Sequence, residues 1–130
     1  MERWLGKYSS YVYAAMRLIV GLAFSCHGAQ KLFGMLGGQA VTGNRMLAAG
    51  VVEFFAGLLV ALGLFAGYAA FLASGEMAVA YFTMHAPGGF WPILNKGELA
   101  VVYCFVFLYI ATRGSGSISL DQAFGLSGKS

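Results

Sequence analysis

Four apolar runs, each about as long as a bilayer is thick, constrain this chain more than any other feature: 11–33, 46–65, 67–86 and 95–113. A helix rising about 1.5 Å per residue needs roughly 20 such residues to cross the hydrocarbon core. The segments between them break helices. "GMLGGQAVTGN" (34–44) is rich in Gly, Ala66–Gly67 makes a very tight turn, and "PGGFWP" (87–92) places two Pro and two Gly together. The sequence therefore predicts an all-α membrane protein, a bundle of four transmembrane helices. The tight turn makes helices two and three an antiparallel hairpin.

Composition excludes the soluble alternative. Of 130 residues, 59% are hydrophobic and 10% charged, where an average soluble domain is about 25% charged. So few charges leave too little polar surface to cover a water-facing domain of this length. The expected organisation is an N-terminal cytoplasmic segment (1–10), the four-helix transmembrane domain (11–113) and a Gly/Ser-rich, mobile tail (114–130) with a short apolar patch at Ala123 and Phe124. Arg3 and Lys7 precede the first run as they would in a signal peptide. Arg17 sits inside that run, however, and no small-x-small site ends it, so it reads as a retained helix. Arg3, Lys7, Arg113 and Lys129 flank one end of the spans, and Lys31, Arg45 and Lys96 the other. This bias puts both termini in the cytoplasm and the protein in the inner membrane as a multi-pass chain. Trp4, Tyr8 and Tyr11 at one end, and Phe90 and Trp91 at the other, suit the two interfaces.

Small residues recur on the helices. Ala49, Glu53, Gly57 and Ala61 share a face of helix two, and Ala69, Ala73 and Ala80 serve helix three. They permit the close approach that membrane helices pack by.

The ionisable residues inside the spans carry the functional signal. A charge near a helix centre costs about 2.5–3.5 kcal/mol on the insertion scale, and each Leu, Ile, Phe or Val returns about 0.3–0.6. Eleven such residues between Leu47 and Phe65 offset Glu53. Helix three has only Phe71, Leu72, Val79 and Phe82 to set against Glu76, so it should be the most enclosed helix, with Glu76 paired or protonated. Arg17 and Glu76 lie at overlapping depths of about 9 and 13 Å from the terminal side. They are the expected buried ion pair, more a lock for the bundle than a catalytic dyad. A second group gathers toward the opposite end: His27, Gln30 and Lys31 on helix one, Glu53 on helix two, and Asn95 and Glu98 at the start of helix four, with His85 and Lys96 beside the Pro/Gly loop. Together they predict a half-open intramembrane polar pocket. Blander roles stand beside this: His27 bonding Glu53 or a carbonyl, Lys96 snorkelling, Glu98 favouring a helix dipole.

Other chemistries lack their signatures. There is no CxxC, and Cys26 lies about 180° round the helix from Arg17, so a Cys26–Cys104 disulfide is not expected. His27, Glu53 and Glu98 have ligating side chains without a spaced motif, and no metal site is assigned. No basic cluster points to nucleic acid, and no Gly-rich strand–helix fingerprint points to a dinucleotide.

Four blocks carry a resemblance: "RLIVGLAFSCHGAQKLFG" (17–34), "EFFAGLLVALG" (53–63), "GEMAVAYF" (75–82) and "PILNKGELAVVYCFVFLY" (92–109). Together they resemble the DoxX family of small membrane proteins, from about residue 11 to "GSISLDQ" ending beside Asp121. The resemblance implies a four-helix membrane protein and an oxidoreductase subunit. The family takes its name from a subunit of a thiosulfate:quinone oxidoreductase that needs a second chain. It also implies that Arg17, His27, Gln30, Lys31, Glu53, Glu76, Asn95 and Glu98 fall within the family's motifs.

The leading expectation is a subunit or accessory of a quinone-linked membrane redox system. It would carry no covalently bound cofactor, and electrons would come from a redox partner protein. His27, Gln30 and Lys31 would donate to quinone carbonyl oxygens, and Glu53 would relay protons. Phe105 and Tyr109 are available to flank the ring or to pack the core. Two alternatives stand: a small proton-coupled transporter working as a homo-oligomer, and a non-catalytic membrane anchor for soluble enzymes.

Overall fold

The computed structural model describes residues 1–126, and the regular structure among them is all helical, with no strand. Four long helices form the body: α1 (Ser9–Phe33), α2 (Asn44–Leu62), α3 (Ala66–Ala80) and α4 (Glu98–Arg113). A short helix (Glu2–Leu5) and a tight turn (Gly6–Tyr8) lead into α1. A widened, π-type turn (Tyr81–His85) and a 3-10 turn (Ala86–Gly88) extend α3. Short helices at Pro92–Asn95 and Leu120–Ala123 flank α4. Lys129, counted above with the terminal side, lies outside the described residues.

The ends of these helices follow from local backbone chemistry. Gly34 closes α1 and Gly63 closes α2 in the left-handed conformation, at φ +67° and +71°, the ordinary glycine stop. Pro92 opens its short helix at a position that needs no N–H donor. Lys96 then turns left-handed at φ +63°, so α4 starts at Glu98 rather than at 95.

α1 and α2 cross at paired glycines. A Cβ on Gly21 would lie 2.5 Å from the Ala61 nitrogen, and one on Gly28 would lie 2.3 Å from the Phe54 nitrogen. Gly50 and Gly57 answer from α2. Such contact lets two backbones meet without side chains between them, the packing mode expected of small-residue stripes. α3 lays Ala69, Ala70, Ala73 and Met77 against Tyr103, Phe107 and Ile110 of α4, and Phe24 of α1 stacks into the same core. Other large apolar residues point outward. Ile19, Phe55, Phe71 and Phe105, one per long helix, are all exposed. α3 is thus not fully enclosed: Tyr68, Phe71 and Leu72 leave its outer face bare. α1 with its leader (Glu2–Phe33) and α2 (Asn44–Leu62) are long and apolar enough to cross a membrane by length and composition.

The tail corrects an expectation. Residues 114–126 do not trail away from the bundle. Gly114 and Ser115 are buried, and the Leu120–Ala123 helix buries Asp121 to 1% exposure.

Candidate functional site

The ends of α1, α2, α3 and α4 away from the termini enclose an open cavity of about 610 Å³. Its walls are largely apolar: Phe24, Val52, Met77, Ala80, Leu99 and Tyr103. Arg45, His85 and Lys96 also line it, and Thr83 and His85 reach it from the widened turn after α3. Turns of this π type often mark functional positions, because the extra residue re-aims the side chains around it.

With His85 and Lys96, four more of the residues singled out in the sequence line this space: His27, Lys31, Glu53 and Glu76. Glu53 is 2% exposed, and its Oε1 accepts from Lys31 Nζ at 2.6 Å. Its Oε2 has no partner, nor has Oε2 of Glu76, and both atoms are buried. The two carboxyls adjoin one another, with Lys31 also close to Glu76. His27 sets its ring edge-on to Tyr103 at 6.0 Å between centroids. Because α1 places His27 and Lys31 one turn apart, both project to the same side.

Other residues expected in the pocket serve the loops that frame it. Gln30 Nε2 donates to the Leu36 carbonyl at 3.0 Å and so closes the loop after α1. Asn95 donates to the Gly89 carbonyl at 2.6 Å and to Tyr81 Oη at 3.2 Å, and its Oδ1 accepts from the Gly97 nitrogen at 2.8 Å. It pins the Pro/Gly loop and does not line the cavity. Glu98 is exposed in the first turn of α4, where a carboxylate complements the helix dipole. Phe105 is 64% exposed and points outward, and Tyr109 packs edge-on to Tyr13 at 6.0 Å; neither flanks the cavity. Cys26 is exposed and Cys104 partly buried, both as free thiols. Among the described residues, no three His, Cys, Asp or Glu side chains gather as metal ligands would. Tyr103 and Phe24 were not anticipated as walls. Their signal was a helical one, Tyr103 lying four residues before the buried Phe107.

The DoxX family model matches residues 12–86 of this chain. An uncharacterized protein of Haemophilus influenzae is 43% identical over 128 residues, covering 92% of this chain and 96% of its own length. The chain belongs to the DoxX family. No solved structure matches it. The segment matched to DoxX supplies Lys31, Glu53 and Glu76 to the cavity, and α4 completes it with Leu99, Ala100 and Tyr103.

The buried arginine of this DoxX chain lies at the opposite end, and there the expectation fails. Arg17 does not pair with Glu76. Its Nε donates to the Val60 carbonyl at 2.8 Å, one Nη to the Ser115 carbonyl and the other to the Ile118 carbonyl at 3.0 Å. The Asp121 carboxylate acts on its charge through space. Asp121 in turn accepts from the Phe65 nitrogen at 3.1 and 3.0 Å and from Ser115 Oγ at 2.6 Å, while Ser115 Oγ accepts from the Ala66 nitrogen at 3.1 Å. The carboxylate thereby satisfies an amide at the start of α3, where the helix dipole favours an anion. Equal depth in the sequence misled because Glu76 sits near the middle of the 66–85 stretch and is turned toward the cavity. The chain segment that meets Arg17 comes from the tail.

Proposed function

We propose that this DoxX protein crosses the inner membrane four times with both termini in the cytoplasm, and works as a component of a quinone-linked redox system. The outward Ile19, Phe55, Phe71 and Phe105 support four lipid-facing helices. α3 with its extension reaches 85, long enough to span with α1 and α2. α4 is shorter, and the Pro92–Asn95 turn supplies the rest of its path.

One observation carries the redox reading: an apolar cavity, open at its mouth, whose inner end holds a buried Glu53 paired with a partly exposed Lys31. A quinone headgroup is a flat apolar ring with two acceptor oxygens. Apolar walls suit the ring, and Lys31 and His27 can donate to the oxygens. The carboxyls at the inner end are placed to exchange the protons that accompany quinone reduction. Electrons would come from a partner protein. The buried, unpaired Glu53 and Glu76 oxygens also favour a second reading, a proton-coupled transporter acting as a homo-oligomer. The anchor reading gives these oxygens no task.

Mass spectrometry of the protein drawn from its own membrane in mild detergent separates these readings. Co-purifying quinone in stoichiometric amount, lost in Glu53→Gln, is the expected result. A folded wild-type protein without quinone would remove the redox reading and make ion-driven flux into liposomes the next assay.

A further inference from the structure

We propose that Glu53 and Glu76 form a single-proton site: two carboxyl groups on facing helices that hold one hydrogen between them, with Lys31 as their fixed counter-charge. The site shares its cavity with the quinone reading, and rests on the membrane placement of the helices but not on quinone itself.

Three observations converge. Lys31 Nζ occupies one oxygen of Glu53 at 2.6 Å. The remaining Glu53 oxygen and one oxygen of Glu76 are buried with no donor in reach. The cavity leaves this pair open to small molecules from the mouth. Ionised carboxylates only accept hydrogen bonds, so two of them side by side leave both oxygens unmet. In a low-dielectric setting the trio would also carry an uncompensated negative charge, since Lys31 offsets one carboxylate and not two. A single added proton removes both faults. One carboxyl becomes an O–H donor to the other, and the trio (one ammonium, one carboxylate, one neutral acid) sums to zero. A second proton would break the Lys31–Glu53 pair and leave the half-buried Lys31 ammonium without its anion.

The groups facing the pair from each element agree with this count. His27 and Lys31 come from α1, Tyr103 from α4, and Arg45, His85 and Lys96 stand along the cavity. Of these only Lys31 bonds a carboxylate directly. The site is therefore set to take one proton from, or return one to, whatever O–H or N–H donor enters the cavity.

Dicyclohexylcarbodiimide, an apolar reagent selective for protonated carboxyls, tests the count. The acid proton adds to one carbodiimide nitrogen while the carboxyl oxygen bonds the central carbon. The adduct rearranges to a stable N-acylurea with nothing lost, so each modified carboxyl gains the whole reagent mass. At neutral pH the full-length protein in detergent, stripped of any bound quinone, should take one adduct per chain, on Glu53 or Glu76. Glu76→Gln should abolish labelling, because Lys31 then balances Glu53 and the amide donates to it. Lys31→Met should add a second adduct. No adduct in the wild type, two adducts on one wild-type chain, or undiminished labelling of Glu53 in Glu76→Gln would each overturn the proposal. An infrared spectrum of wild-type protein carrying carboxyl-labelled glutamate needs no variant. A protonated-acid carbonyl band at neutral pH is expected, and its absence counts against the site. A chain that labels as expected yet carries no quinone fails only the quinone reading. One that carries quinone but stays unlabelled fails only this one.

Discussion

The two ends of the bundle bury charge in opposite ways. At the end near the termini, Arg17, Ser115 and Asp121 are sealed; the guanidinium spends its hydrogen bonds on backbone carbonyls, and the carboxylate spends its own on the Phe65 amide and the Ser115 hydroxyl. At the other end Lys31, Glu53 and Glu76 surround an open cavity, and two carboxyl oxygens there meet no donor. A charged group whose bonding capacity is used up by the fold can stabilise the fold and do little else. One left short of partners costs stability and keeps its chemistry available. The closed end therefore reads as a lock and the open end as a site.

The sharpest way to break this contrast is Arg17→Ala. It leaves the Ser115 and Ile118 carbonyls of the tail without their Arg17 donor and takes a second donor from the Val60 carbonyl. Stability should fall by about 3–5 kcal/mol, read as loss of the protein from the membrane and early thermal unfolding in detergent. A milder cut at the same end is Asp121→Asn. It keeps the shape but weakens the bonds to Phe65 and Ser115, for a loss of about 1–2 kcal/mol in the same unfolding assay. At the open end Glu76→Gln should lie within about 0.5 kcal/mol of wild type or above it, because the new amide can donate to the unpaired Glu53 oxygen. A loss as large as that of Asp121→Asn would make the cavity a second lock, and the contrast would not hold.

Much of the fold was legible in the residues. The apolar runs located all four long helices, and the Gly-rich and Pro/Gly segments located the two longer breaks, because both signals are local to the backbone that carries them; the tight turn falls at Gly63–Phe65, and Ala66 and Gly67, expected to make it, instead open α3. Of the stripe Ala49, Glu53, Gly57 and Ala61, the last two meet α1 at close approach and the first two line the cavity. His27, Lys31 and Glu53 were read to one end and line one cavity there. Asn95 and Gln30 were read with them for the same reason, nearness to that end. Depth along an axis says nothing of rotation about it, and these two side chains turn into loops. Asp121 passed unremarked as a partner because nothing in "GSISLDQ" marks a segment that folds back.

Composition and spacing along the chain dictate that it is helical, apolar on its outer faces and burdened with buried charge. Those properties sum over residues, each transferred from water at its own cost. Which charges meet depends on the packing of the helices. Arg17 finds its partners 43, 98 and 101 residues along the chain, and Glu76 finds Glu53 across two facing helices. Such pairings depend on how the helices are rotated and where the tail returns, and the competing arrangements share the same composition and nearly the same depth.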